Sequence, residues 1–179
     1  MKLTKYTVLF ALIVALLLAA GGCGKRADSK KALSYTERAF DATVSGEANG
    51  VKFEALVSAA EPRENSLLPR DVSITFYAPA SMSGVVLTRE SGKLSLALGD
   101  LTLDAEYADG WIDIATALLP DGAVSDVTPL ADRPSVVTVA FDDPARTITV
   151  DLSTGSPIAA AMTSPRKLTL NVIAFSGAT

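Results

Sequence analysis

From about Ala39 onward, apolar and polar residues alternate along the chain with a period of two. Val72, Ile74 and Phe76 alternate with Asp71, Ser73, Thr75 and Tyr77; Leu94, Leu96 and Leu98 alternate with Lys93, Ser95 and Ala97. Leu101 and Leu103 flank Thr102, and the same rhythm returns at Ile148, Val150 and Leu152 and at Leu168, Leu170 and Val172. Side chains two apart share a face of a strand, so each run predicts a strand with one apolar and one wet side. Strands of that kind belong to an antiparallel sheet solvated on one face.

Turn-forming residues punctuate the runs. Gly46-Glu47-Ala48-Asn49-Gly50 separates a strand near Phe40–Ser45 from one near Val51–Ser58. Ser91-Gly92 and Gly99-Asp100 have the length of tight hairpins. Asp142-Asp143-Pro144-Ala145, Ser153-Thr154-Gly155-Ser156 and Thr163-Ser164-Pro165-Arg166 close further turns. Short connections between consecutive strands predict a meander. Two stretches depart from the alternation. Glu61 to Arg70 reads as a long loop bounded by prolines, and Asp109 to Pro120 as a short helix. In that helix Asp109 is a candidate N-cap, Ile114 and Leu118 stand at i,i+4, and Pro120-Asp121-Gly122 stops it. Gly122 to Pro134 reads as loop, with a short extended piece at Ala123–Val127. A sheet with one apolar face must cover it. The expected fold is therefore mainly β, at the margin of α+β. It is a strongly curved antiparallel sheet or half-barrel of about 7–9 strands, with one or two short helices over its concave face. A β-sandwich is the alternative.

The first residues follow another logic. Lys2 and Lys5 precede an uncharged apolar run from Thr7 to Ala20. At roughly 14 residues this run suits a signal-peptide core, whereas a spanning helix needs about 20. Leu18-Ala19-Ala20-Gly21-Gly22-Cys23 follows, and it resembles the bacterial lipobox, with Ala20 where leucine is commoner. The resemblance implies cleavage before Cys23 and acylation of its sulfur. The alternatives are an ordinary secretory signal or an uncleaved anchor. Cys23 is the only cysteine, so no intramolecular disulfide competes for it. The expected organisation is a signal peptide over 1–22, a lipidated cysteine and tether over 23–32, and one β domain over 33–179. Gly24 to Lys31 is polar and mostly basic. It reads as a tether whose lysines graze anionic headgroups, or as a solvated linker.

The order of elements resembles the outer-membrane lipoprotein carrier and receptor superfamily (LolA/LolB-like). The resemblance begins at Phe40-Asp41-Ala42-Thr43-Val44 and runs through Ile74-Thr75-Phe76-Tyr77-Ala78-Pro79 and the Val85–Leu98 hairpin with Ser91-Gly92-Lys93. It closes on Ile148-Thr149-Val150-Asp151, Gly155-Ser156-Pro157-Ile158 and Lys167 to Phe175. The first helix, near Ala32–Arg38, is shorter than the family's. The resemblance implies a concave face able to hold an acyl chain or a lipoprotein's lipid anchor. Candidate lining residues are Val72, Ile74, Phe76, Leu94, Leu96, Leu98, Leu101 and Leu103, which serve equally as packed core. Trp111, Ile114 and Leu118 are candidates for a lid over that face. Leu67-Leu68, in the proline-bounded loop, either caps the open end of the core or forms a tip that touches membrane or partner.

The chemistry that is missing narrows the function further. There is no histidine, which removes the commonest general base and metal ligand. No serine stands in a nucleophile-elbow or Ser-x-x-Lys context, and Asp142-Asp143 reads as a solvated turn. Asp109, Asp113 and Asp121 lack the spacing of a calcium loop. A net charge of -4 with no basic stripe argues against nucleic acid. No enzyme activity, metal or cofactor is expected. The expected partners are membrane lipid through acylated Cys23, a lipid or lipoprotein ligand, and an envelope protein. The sequence thus predicts a membrane-anchored extracytoplasmic lipoprotein that binds an acyl chain. The alternative is a non-enzymatic module that docks an envelope or cell-wall enzyme.

Overall fold

The computed structural model describes residues 29–63, 69–105 and 108–177. The expected signal segment, Cys23 and the loop pair Leu67-Leu68 lie outside these residues. After a helical turn at 29–32 and a 3-10 turn at Ser34–Glu37, the chain forms β1 (Phe40–Ala48), β2 (Val51–Ala59), β3 (Val72–Ala78), β4 (Val85–Glu90), β5 (Lys93–Leu98) and β6 (Leu101–Asp104). The helix α1 (Asp109–Leu118) follows. The chain then continues as β7 (Val124–Leu130), β8 (Arg133–Asp142), β9 (Ala145–Asp151), β10 (Ser156–Met162) and β11 (Leu168–Gly177). All eleven strands join one sheet in the order β6-β5-β4-β3-β2-β1-β11-β10-β9-β8-β7, every neighbouring pair antiparallel. The sheet is open and curled, and α1 links its two edge strands.

The expected fold class holds, with eleven strands in place of 7–9. The difference lies mainly in Gly122 to Pro134, which reads as loop but contains β7 and the start of β8. Pro129 sits inside β7, where a missing N–H disrupts a central strand. It is tolerated because β7 is an edge strand, paired only with β8. The first turn is also tighter than predicted. β1 runs on to Ala48, and Asn49-Gly50 alone turns the chain, both at positive φ. Ser91-Gly92 does the same between β4 and β5, as its composition predicts. Gly46 consequently lies within β1, between β2 and β11. A Cβ there would fall 2.2 Å from the Thr169 carbonyl oxygen, so the close approach of the two strands requires glycine.

The helix forms where expected, with Ala108 rather than Asp109 at the N-cap position. The preceding turn, in which the Ala108 amide bonds the Ala105 carbonyl, carries the chain into the helix one residue early. Ile112, Ile114, Ala115, Ala117 and Leu118 are buried, so the inward face of α1 completes the core. Ile114 and Leu118 are fully enclosed, and burial of each contributes about 2 kcal/mol. The last turn closes through the Leu119 amide on the Ala115 and Thr116 carbonyls, before Pro120.

Candidate functional site

Directly paired residues of an antiparallel ladder point to the same face, so the register assigns each candidate a side. Ala42, Val57, Ile74, Leu87, Leu96 and Leu103 form one continuous row across β1 to β6. Val85, Leu98 and Leu101 lie two positions along, and Val72, Arg89 and Leu94 two positions the other way. All eight candidate lining residues therefore share the face that carries the core.

They do not share an environment. Val72, Ile74 and Phe76 are buried beneath α1 and are core. Leu94 and Leu96 are half-buried, while Leu98, Leu101 and Leu103 are 52%, 59% and 54% exposed. The helix covers the centre of the concavity and leaves its β5–β6 margin open. What remains is a strip of leucines that continues the core face out from under the helix. On the other rows of these strands stand Lys93, Ser95, Thr102 and Asp104, so the leucines are confined to one side of the margin.

The three candidate lid residues lie on or toward the core. Ile114 and Leu118 point inward, and half-buried Trp111 stands edge-on to Phe76 and Phe53, with ring centroids 5.2 and 6.2 Å away. At the N-terminal end of α1, Asp113 pairs with Arg166 of the β10–β11 turn at 3.7 Å. At its C-terminal end the Tyr35 hydroxyl donates to the Leu118 carbonyl at 2.7 Å, and burial pushes the phenol pKa up. The helix is thus fastened to the sheet at both ends.

A group of arginines at that C-terminal end has no counterpart among the candidates read from the sequence. Arg70 donates to the carbonyls of Thr36, Arg38 and Ala60 and lies over the Phe40 ring. Arg89 uses Nε and Nη2 on the Arg70 carbonyl, at 3.2 and 3.1 Å. Arg146 is 3% exposed, lies over the Phe141 ring, and donates through Nη2 to the backbone and carboxylate oxygens of Asp121. Its Nε and Nη1 have no acceptor among the described residues. Burial pulls the Arg70 and Arg89 pKa values down, partly opposed by Glu61 on the first and by Asp121 and Asp71 on the second. Local desolvation pushes the Asp121 carboxyl up, but the Arg146 hydrogen bond and charge, a backbone amide and Arg89 outweigh it and hold it below the usual carboxylate range. Thr36, Arg70, Arg89, Thr116, Leu119 and Asp121 border a cleft of about 510 Å³. The signal for two of these arginines was in the sequence: Arg89 follows Val85 and Leu87, and Arg146 precedes Ile148 and Val150, each at the apolar phase of its strand.

Asp109, Asp113 and Asp121 are divided between the two ends of α1, and no group of residues able to hold a metal ion occurs among the described residues. Asp142 and Asp143 are exposed at the β8–β9 turn.

No family model and no curated protein matches the chain. Among solved structures, it is similar to a putative outer membrane lipoprotein-sorting protein domain from Vibrio parahaemolyticus, at 8% identity over 87% of this chain and 93% of that one, with a TM-score of 0.47. It is similar to a LolA superfamily protein from Nitrosomonas europaea, at 10% identity over 84% and 93% of the two chains, with a TM-score of 0.41. A chain of the Pseudomonas aeruginosa MucA/MucB complex is similar at 15% identity over 84% of this chain and 56% of that one, with a TM-score of 0.44. What is shared at these identities is the course of the backbone.

Proposed function

We propose that the protein is a non-enzymatic, membrane-anchored extracytoplasmic lipoprotein that holds an acyl chain of a lipid or lipoprotein on the concave face of its sheet. The observation that carries this reading is the open leucine strip. Leu98, Leu101 and Leu103 are each more than half exposed, adjacent, and continuous with half-buried Leu94 and Leu96. Contiguous apolar surface of this kind on a soluble domain marks a binding site. The site is a trough along the margin of the sheet, because the concavity under α1 is filled by Trp111, Ile114 and Leu118. A flexible chain suits a wall of leucines better than a stacked aromatic ligand does. The lipobox-like Leu18–Cys23 segment supplies the anchor, and two or three acyl chains give stable attachment where one does not.

Docking of an envelope protein is the second reading, and one observation favours it. β6 is a short edge strand with all four residues exposed, so its outer backbone groups can receive an extended segment of a partner. Native mass spectrometry of the full chain, purified in detergent from its membrane, separates the two. An acyl lipid should be retained, and Leu101→Ser/Leu103→Ser should lose it with no change in melting temperature, since both residues are exposed. Absence of retained lipid, or retention indifferent to the double substitution, rejects the acyl-chain reading.

A further inference from the structure

The concave face carries charge at one end. Arg89 is the cross-strand partner of Leu94 and shares its face, so the leucine strip runs directly into the cleft at the C-terminal end of α1. Arg70 and Arg89 border that cleft, and Arg146 lies behind Asp121 on its far side. This is a concentration of cations in a chain whose net charge is -4. Among the described residues, neither Arg70 nor Arg89 makes an ion pair, and Asp121 is the one carboxylate in contact with Arg146. Arg70 spends its donors on three backbone carbonyls, which accounts for its position structurally. Arg89 and Arg146 are not accounted for in this way. Arg89 directs two donors at a single carbonyl, and Arg146 is enclosed with Nε and Nη1 unmatched. Arg146 does not line the cleft, so its N–H groups touch nothing there and its charge acts on the cleft from behind Asp121.

We propose that this cleft is an anion-binding subsite that takes the phosphate head of a single-chain amphiphile, whose acyl chain lies along the leucine strip. The proposal rests on the acyl-chain reading above and adds the class of headgroup. Arg89, at the junction of cleft and strip, is the primary contact. Arg146 supplies positive potential from beneath, and Thr116, its hydroxyl donating to the Ile112 carbonyl, borders the cleft from the helix side. Burial already disfavours the charged forms of Arg70 and Arg89, so a phosphate in the cleft stabilises them where water does not.

The test measures binding of oleoyl-lysophosphatidic acid and of monoolein, which share a chain and differ in the phosphate, to the full chain in detergent by native mass spectrometry. A charge-assisted hydrogen bond to phosphate predicts a preference of at least about tenfold for the anionic lipid. Arg89→Gln should reduce that preference to less than about threefold, and Arg89→Lys should restore part of it. Leu101→Ser/Leu103→Ser should weaken both lipids while preserving their ratio. Equal binding of the two lipids by the unmodified chain overturns the headgroup site and leaves the acyl-chain reading standing. Binding of neither lipid overturns both. Inorganic phosphate that binds tightly by itself, with no preference between the lipids, makes this a free-anion site and also overturns the proposal.

Discussion

A guanidinium sealed under an apolar sheet is costly, and Arg146 is held there by one carboxylate and one aromatic ring. The two halves of this pair are unequal: Arg146 is enclosed, whereas the Asp121 side chain is 90% exposed. Asp121→Asn therefore leaves a buried charge with a weaker partner and should lower stability by about 1–2 kcal/mol. Arg146→Met removes the charge together with its desolvation cost and should be neutral or stabilising. The pair also predicts an acid response. Because the folded Asp121 pKa is depressed, its contribution is present above the ordinary carboxylate value near 3.9 and is lost as pH falls through the lower folded value. Urea titrations from pH 6 down to 2 should show Asp121→Asn approaching the parent at the acid end. A constant gap across that range would show that the ion pair is not what the substitution removes. At this scale the sequence was legible where chemistry was local and illegible where it was not. The apolar phase of Arg146 and Arg89 could be read, but their convergence on Asp121 depends on how α1 crosses the sheet.

Alternation made the strands readable wherever one face is buried and the other wet. β3 obeys that rule strictly: Ile74 is fully buried, and Thr75 faces away from the core. Ile74→Asp should abolish cooperative unfolding, since burying an unpaired carboxylate costs several kcal/mol, comparable with the stability of a whole domain. Thr75→Asp should melt within a few degrees of the parent. Similar melting temperatures for the two variants would mean that the faces of β3 are reversed. The rule failed at β7, where Pro129 and a single fully buried residue, Val127, hide an edge strand. It also assigned the eight apolar lining candidates to one class. Their alternation is identical, and only the course of α1 separates buried Val72, Ile74 and Phe76 from the open strip at Leu98, Leu101 and Leu103. Period identifies a face; coverage depends on the third dimension.

For the whole molecule, the proposed attachment through Cys23 and the proposed binding on the concave face are separable. Cys23→Ser should abolish incorporation of a fatty-acid probe and leave the protein unprocessed, or released if a second peptidase cuts. Label that persists on the Ser variant would place the acyl chain elsewhere. Sequence order and spatial order diverge in one respect with a bearing on biogenesis. β1 lies at the middle of the sheet, and its neighbour on one side is β11, the last strand described, with Phe40 opposite Gly177. The six strands β1 to β6 can zip sequentially as hairpins, as can β7 to β11, but neither half has its central neighbour until residues near 170 arrive. Pairing across so long a separation is slow, because loop-closure entropy is spent before any contact rewards it. A nascent chain of this topology lacks the central pairing of its sheet until β11 has been synthesised. If the protein is exported as proposed, such a chain would stay threadable through a narrow pore, and the seam between β1 and β11 would close only on the far side.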